Sequence, residues 1–252
     1  MFKIQDLQIG YGHCVVASCA GDIAFAKAKF IALIGPNGSG KSTLLRAMND
    51  GSHIINGNVT LHDQFIKEVD PVTKSKTVAL VLTQRHFSYF LKVQEMLELS
   101  RSPYSNYLGK LTQQDHDFID QIINLIGIDS LRDRRLNTLS DGQLQAVIIA
   151  RSLVQDTPYI LMDEPTSHLD INHRADILMA LRDYCHKTGK TIIYSTHELQ
   201  MGIELCDEVL YIHDRTIQLK TKDEFIHSNQ LPEMFPSPLL EYANGGLRIK
   251  KD

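Results

Sequence analysis

The sequence predicts an α/β fold in which a mostly parallel sheet is flanked by helices. Short apolar runs of strand length recur along the 252-residue chain at Phe30 to Ile34, Val78 to Leu82, Tyr159 to Met162, Thr191 to Tyr194 and Val209 to Ile212. Helix-like stretches separate these runs, the alternation expected of parallel strands joined by helical crossovers. The first run leads directly into a glycine-rich turn, Gly35 to Ser42, a placement that suits a strand, loop and helix in series.

The first sixty residues have a different texture. Partial apolar alternation from Phe2 to Ile9, with Asn56-Gly57 read as a turn ahead of Val59 and Leu61, predicts an antiparallel layer at one edge. Lys27-Ala28-Lys29 forms the turn before the first core strand. Residues 85–154 read as a helical insert, with Phe118, Ile119, Ile122, Ile123 and Ile126 on one helix face. The tail, residues 214–252, has a capping-box pattern in Thr221 and Glu224, followed by Pro232, Pro236 and Pro238. The expected organisation is one domain over residues 1–252: an α/β core with its antiparallel layer (1–84 and 155–213), the helical insert and a C-terminal extension without assigned chemistry.

Composition narrows the function classes. A formal net charge of −4, with no basic stripe, argues against a nucleic-acid partner. Cys14, Cys19, Cys185 and Cys206 show neither C-x-x-C pairing nor metal-like histidine spacing, so they are expected to be buried free thiols. No apolar run approaches the ~20 residues that span a bilayer, so any membrane contact is expected to come through partners.

Gly35-Pro36-Asn37-Gly38-Ser39-Gly40-Lys41-Ser42 fits G-x-x-x-x-G-K-[ST], and Thr43 begins the helix-like stretch after it. Backbone N–H groups of such a loop turn inward around phosphate oxygens, and the following helix adds the partial positive charge of its N-terminus. Lys41 is placed to reach the β and γ phosphates of ATP, and the Ser42 hydroxyl to ligate Mg²⁺. The run Tyr159 to Met162 delivers Asp163 and Glu164 to a strand end, where ligands sit in open α/β sheets. Asp163 suits Mg²⁺, usually through water, and Glu164 suits a general base that orients the attacking water. His197, just past Thr191 to Tyr194, suits the γ-phosphate, and Gln84, past Val78 to Leu82, suits Mg²⁺ and the attacking water.

Leu139-Ser140-Asp141-Gly142-Gln143 closely resembles the Leu-Ser-Gly-Gly-Gln signature of ABC ATPases. Its place after the phosphate loop and Gln84, and before Asp163-Glu164 and His197, is the motif order of that family over roughly residues 1–215. The resemblance implies a P-loop NTPase core of RecA-like type with an antiparallel β subdomain and a helical insert. It further implies Tyr11 stacking on adenine, Gln84 coupling to a membrane subunit, and Asp170 on a loop crossing a dimer. Ser140, Gly142 and, within the same motif, Gln143 are implied to contact the ATP of a second copy. Asp141 departs from the family pattern by placing a carboxylate where the first signature glycine stands. Aspartate visits left-handed backbone conformations more readily than most residues, so the turn is expected to survive, with the effect falling on rate.

The implied assembly is a homodimer of nucleotide-binding subunits beneath two transmembrane permease subunits, peripheral at the cytoplasmic face of the inner membrane. Ser100 to Tyr104, the stretch Leu108 to Asp115 and the run Thr166 to Asp170 are similar to ATPases of iron-siderophore, haem and cobalamin importers. Such importers add a substrate-binding protein. Two alternatives remain at this point. A soluble ABC ATPase of iron–sulfur cluster assembly fits the length, and a P-loop kinase explains Gly35 to Ser42 but not Leu139 to Gln143 or His197.

Overall fold

The structure is a computed structural model that describes residues 1–82, 88, 90–105, 109–236, 240–243 and 246–249, the last two stretches as backbone. Gln84 lies outside the described residues. In chain order, β1 (Phe2–Tyr11), β2 (Cys14–Ser18), β3 (Asp22–Phe25) and β4 (Phe30–Ile34) lead into α1 (Lys41–Asp50). Next come β5 (Ile54–Leu61), β6 (Gln64–Phe65), α2 (Pro71–Ser75) and β7 (Val78–Val81). Three helices, α3 (Val93–Ser100), α4 (Gln113–Ile126) and α5 (Asp141–Val154), precede β8 (Tyr159–Met162) and α6 (Ile171–Thr188). β9 (Thr191–Ser195), α7 (Leu199–Leu205), β10 (Glu208–His213) and β11 (Thr216–Thr221) follow. The chain closes with α8 (Lys222–His227), α9 (Gln230–Met234), β12 (Leu240–Ala243) and β13 (Gly246–Ile249).

The strands β10, β4, β9, β8 and β7 pair in parallel in that spatial order. Both faces of this sheet are covered, which is why its strands read as unbroken apolar runs. Ile31 and Leu33 of β4 face Leu44, Leu45 and Met48 of α1, whose far side packs on Phe2, Ile4, Leu7 and Ile9 of the antiparallel layer. Phe30, Ala32 and Ile34 face the opposite way, into a core shared with α5, α6 and the helical insert. α1 is thus clamped between two sheet regions, and the loop at its N-terminus is held from both sides.

Several local readings of the sequence change in the structure. Asn56-Gly57 does not end a strand; it lies inside β5, where the β1–β5 register shifts. Gly57 has φ 76°, and a Cβ there would lie 2.2 Å from the Asp6 carbonyl oxygen, so the glycine permits a bulge against β1. Asp214 is not a boundary where the sheet ends: it sits in the tight turn to β11, which pairs antiparallel with β10 and touches β2. Cys19, Cys185 and Cys206 are buried free thiols, whereas Cys14 is exposed. Burial pushes Cys185 and Cys206 up to about 12, which suits inert core thiols. The Thr221–Glu224 capping box forms as expected at α8, and Ile119, Ile122, Ile123 and Ile126 are buried on α4.

The turn before β4 places Ala28 at φ 56°. A left-handed alanine is strained by about 1–2 kcal/mol, part of which glycine gives back through its freer unfolded chain. Ala28→Gly is therefore expected to stabilise the protein by roughly 0.5–1 kcal/mol, read as a higher urea midpoint. A lower midpoint would contradict the strain assigned to this turn.

A buried ion pair ties the helices of the insert, α3, α4 and α5, to one another. Arg101, at the C-terminal end of α3, donates through Nε and Nη2 to Asp115 Oδ1 at 2.9 and 2.7 Å. Its Nη1 donates to the Val154 carbonyl at 3.2 Å, and its guanidinium lies 4.2 Å from the Tyr104 ring centre. Arg101, Tyr104 and Asp115, part of the segment resembling chelate importers, therefore pack the insert.

Candidate functional site

The phosphate loop is built by two glycines with positive φ. Gly38 at 76° and Gly40 at 105° adopt conformations that side-chain-bearing residues rarely reach, and they turn the loop between β4 and α1. Gly40 is also the N-cap of α1, and no side chain among the described residues caps this helix. By contrast α4, α5 and α6 are capped by Thr112, Ser140 and Asp170. The uncapped N–H groups and the positive end of α1 make a site for an anion. The Ser39 hydroxyl is buried without a hydrogen-bond partner, a second sign that this loop is shaped for an acceptor from outside the chain.

Lys41 is 7% exposed, and its Nζ donates to the Gly35 carbonyl at 2.8 Å and the Pro36 carbonyl at 3.2 Å. Burial lowers its pKa, while the charges of Glu164 and Asp163 raise it. The ammonium thus sits over the loop and within electrostatic reach of both acids.

Glu164 follows β8 with φ 49°, a left-handed conformation that costs a glutamate about 1–3 kcal/mol. Ser195, at the end of β9, holds this geometry. Its Oγ donates to Asp163 Oδ1 at 2.8 Å and accepts the Glu164 backbone N–H at 2.8 Å. The Asp163 N–H in turn donates to the Val81 carbonyl at 2.8 Å. His197 Nε2 donates to Glu164 Oε1 at 2.6 Å. One short hydroxyl therefore fixes the two acids relative to each other. Sequence reasoning passed over it, although Ser195 sits at the end of the same strand run that flags His197.

Tyr11, Asn37, Gly38, Gly40, Lys41, Ser42, Thr43, Glu164 and His197 line one cleft of about 550 Å³. Tyr11, most of the phosphate loop, Glu164 and His197 thus meet in one place, with Gly35, Pro36 and Ser39 completing the loop. Asp163 is 3% exposed, beside the cleft and joined to it through Ser195 and Glu164. The described residues include no cluster of three or more His, Cys, Asp or Glu able to hold a metal ion. A divalent ion here must take most of its oxygen ligands from phosphate and water, which is how Mg²⁺ ordinarily accompanies a nucleotide.

Ser140, Gly142 and Gln143 are absent from that cleft. They line a separate one of about 630 Å³ with His168, Leu169, Asp170 and His173. Ser140 caps α5 by accepting the Gln143 N–H at 3.2 Å, and the Gln143 side chain accepts the Ser140 N–H at 3.2 Å. Asp141 is the first residue of α5 and does not have a positive φ. A carboxylate at a helix N-terminus is favourable, so the turn tolerates aspartate without any left-handed strain. Buried Gln145 of α5 donates to the Pro165 carbonyl, one residue past Glu164, at 2.8 Å.

Residues 22–167 match the family described as ABC transporter. The chain is 34% identical over 212 residues, 84% of its length and 78% of the relative's, to the achromobactin transport ATP-binding protein CbrD of Dickeya dadantii (strain 3937). It is 33% identical over 219 residues, 85% of each chain, to the petrobactin import ATP-binding protein FatE of Bacillus anthracis. In fold it is similar to the dimeric structure of a bacterial ABC transporter cassette, with a TM-score of 0.76 and 22% identity over 88% of this chain and 99% of that one. With the phosphate loop, the acid pair, the histidine and the signature helix in these positions, the chain belongs to the ABC transporter family, as one of its ATP-hydrolysing cassettes.

Proposed function

We propose that this chain powers uptake of a metal chelate, an iron-siderophore in the first instance, as one of two identical cassettes beneath a pair of membrane permease subunits. The observation that carries the paired arrangement is the separation of the two clefts on one molecule: Lys41 and Glu164 line one, Ser140 and Gly142 the other. Two copies related by a two-fold axis bring each phosphate loop opposite the other's signature helix, so each ATP completes an interface. The achromobactin and petrobactin transport functions named for the relatives support the chelate class. No helix among the described residues is long and apolar enough to cross a membrane, so in this reading the permease supplies the path.

In this mechanism the phosphate loop and Lys41 bind the triphosphate of Mg·ATP, with Ser42 and Asp163 on its metal side. Glu164 accepts a hydrogen bond from the attacking water, and His197 steadies Glu164 and reaches toward the γ-phosphate. Ser140 and Gly142 of the second copy close over the same phosphates. ATP favours the closed pair because only that state gives it both sets of contacts, and loss of the γ-phosphate removes the preference. Gln145 ties movement of the signature helix to the loop carrying Glu164.

Phe90 is 75% exposed, close in sequence to Gln84, and marks the face offered to the permease. A photo-crosslinker placed at Phe90 in membranes should capture a polytopic membrane protein whose partner binding protein takes up a ferric chelate. Capture of a soluble scaffold protein instead would overturn transport in favour of cluster assembly.

A further inference from the structure

We infer that His53 is a positioning residue for nucleotide-base recognition, holding the Tyr11 ring as a fixed platform at the mouth of the phosphate-loop cleft. The inference rests on the ATP-binding reading above and concerns a residue that no motif in the sequence marks.

Tyr11 ends β1 and is 57% exposed, which would ordinarily leave its ring free to change rotamer. Two contacts prevent that. Its hydroxyl hydrogen-bonds with Thr43 Oγ1 at 3.2 Å, and its ring packs against the His53 imidazole with centroids 4.6 Å apart and planes inclined at 55°. His53 is itself anchored to the same strand: its carbonyl accepts the Gly10 N–H at 2.9 Å, and the next residue, Ile54, pairs with Ile9. His53 also holds a left-handed backbone, φ 62°, unusual for a side-chain-bearing residue.

The imidazole is not part of the cleft wall, whereas Tyr11, Thr43 and Lys41 are. His53 therefore acts on a ligand only through Tyr11. With one side of the ring backed by His53 and the hydroxyl tied to the first turn of α1, the exposed part of the ring is presented to a planar base whose phosphates rest on the loop. Such preorganisation strengthens binding by sparing the ligand the ordering of the side chain. Offset or tilted aromatic pairs supply this kind of restraint in modest, measurable amounts.

The test uses the full-length chain and two ligands, ATP and inorganic tripolyphosphate, the second lacking the base. His53→Ala is expected to weaken ATP binding about three- to tenfold, raising KM with kcat at saturation unchanged, and to leave tripolyphosphate binding unchanged. His53→Phe, which keeps a flat ring behind Tyr11, should restore ATP binding to within about twofold. In a Tyr11→Ala background, His53→Ala should have no further effect. Equal weakening of both ligands, or unchanged ATP binding in His53→Ala, overturns the inference while leaving the ATP site intact. Failure of the unmodified chain to bind ATP would instead remove the functional reading on which it rests.

Discussion

Glu164→Gln is expected to lower ATP turnover by about 10²–10⁴-fold while leaving ATP binding close to that of the unmodified chain. The substitution keeps the shape of the side chain and its contact with His197, but an amide cannot accept a proton from the attacking water. Its backbone is held independently, through the N–H donated to Ser195 Oγ and the carbonyl that accepts the Ser167 N–H at 3.2 Å, so the left-handed geometry survives the change. Single-turnover hydrolysis measured beside equilibrium ATP binding separates the two effects. Turnover within tenfold of the unmodified chain would remove Glu164 from the role of base, and loss of binding would show that its charge matters mainly to the nucleotide.

The second large effect is on stability. Arg101→Ala is expected to destabilise the chain by about 3–5 kcal/mol, because it leaves the Asp115 carboxylate buried without its cation. For a chain of this size that corresponds to a fall in Tm of roughly 6–20 °C by calorimetry. Burial pushes Asp115 up, but the Thr112 hydroxyl and amide and the Arg101 guanidinium outweigh it and hold the carboxyl at about 2, against an ordinary value of 3.8. A carboxyl depressed on folding contributes stability that is fully present above its unfolded pKa and is lost as pH falls through the folded one. The pair's contribution should therefore fade between about pH 4 and pH 2 in the unmodified chain. That acid-induced loss should be smaller in Arg101→Ala. A paired Arg101→Met, Asp115→Leu replacement should be far less damaging than either single truncation, since no charge is left stranded. A change of under 1 kcal/mol in Arg101→Ala would contradict the account of how the insert is fastened.

The parts of the fold and site that were legible share a physical cause. β4, β8 and β9 are covered on both faces, so burial forces continuous apolar runs, and a ligand-facing strand end then follows at a fixed place in sequence. This is why Lys41, Glu164 and His197 were readable from the sequence and meet in one cleft. β11 was not legible because its turn, Asp214-Arg215, uses two side-chain-bearing residues at φ 44° and 59° in place of the usual glycine signal. Asn56-Gly57 misled for the opposite reason: a strong turn signal was absorbed as a bulge once β1 was available to pair with β5 on both sides of it. Asp141 stands out in the sequence as a departure from the signature glycine, and the structure accommodates it as the first residue of a helix. Ser195 and His53 act through other side chains, so neither the period nor the spacing of the sequence could single them out.

The central claim is that ATP joins two copies of this chain, gripped by the phosphate loop of one and the signature helix of the other. Sedimentation of the Glu164→Gln chain with and without Mg·ATP tests it most directly. The account predicts a 28.5 kDa species that shifts to twice that mass with ATP, and a Lys41→Ala chain that does not shift. A Glu164→Gln chain that binds ATP to saturation and still sediments as a single copy would contradict it.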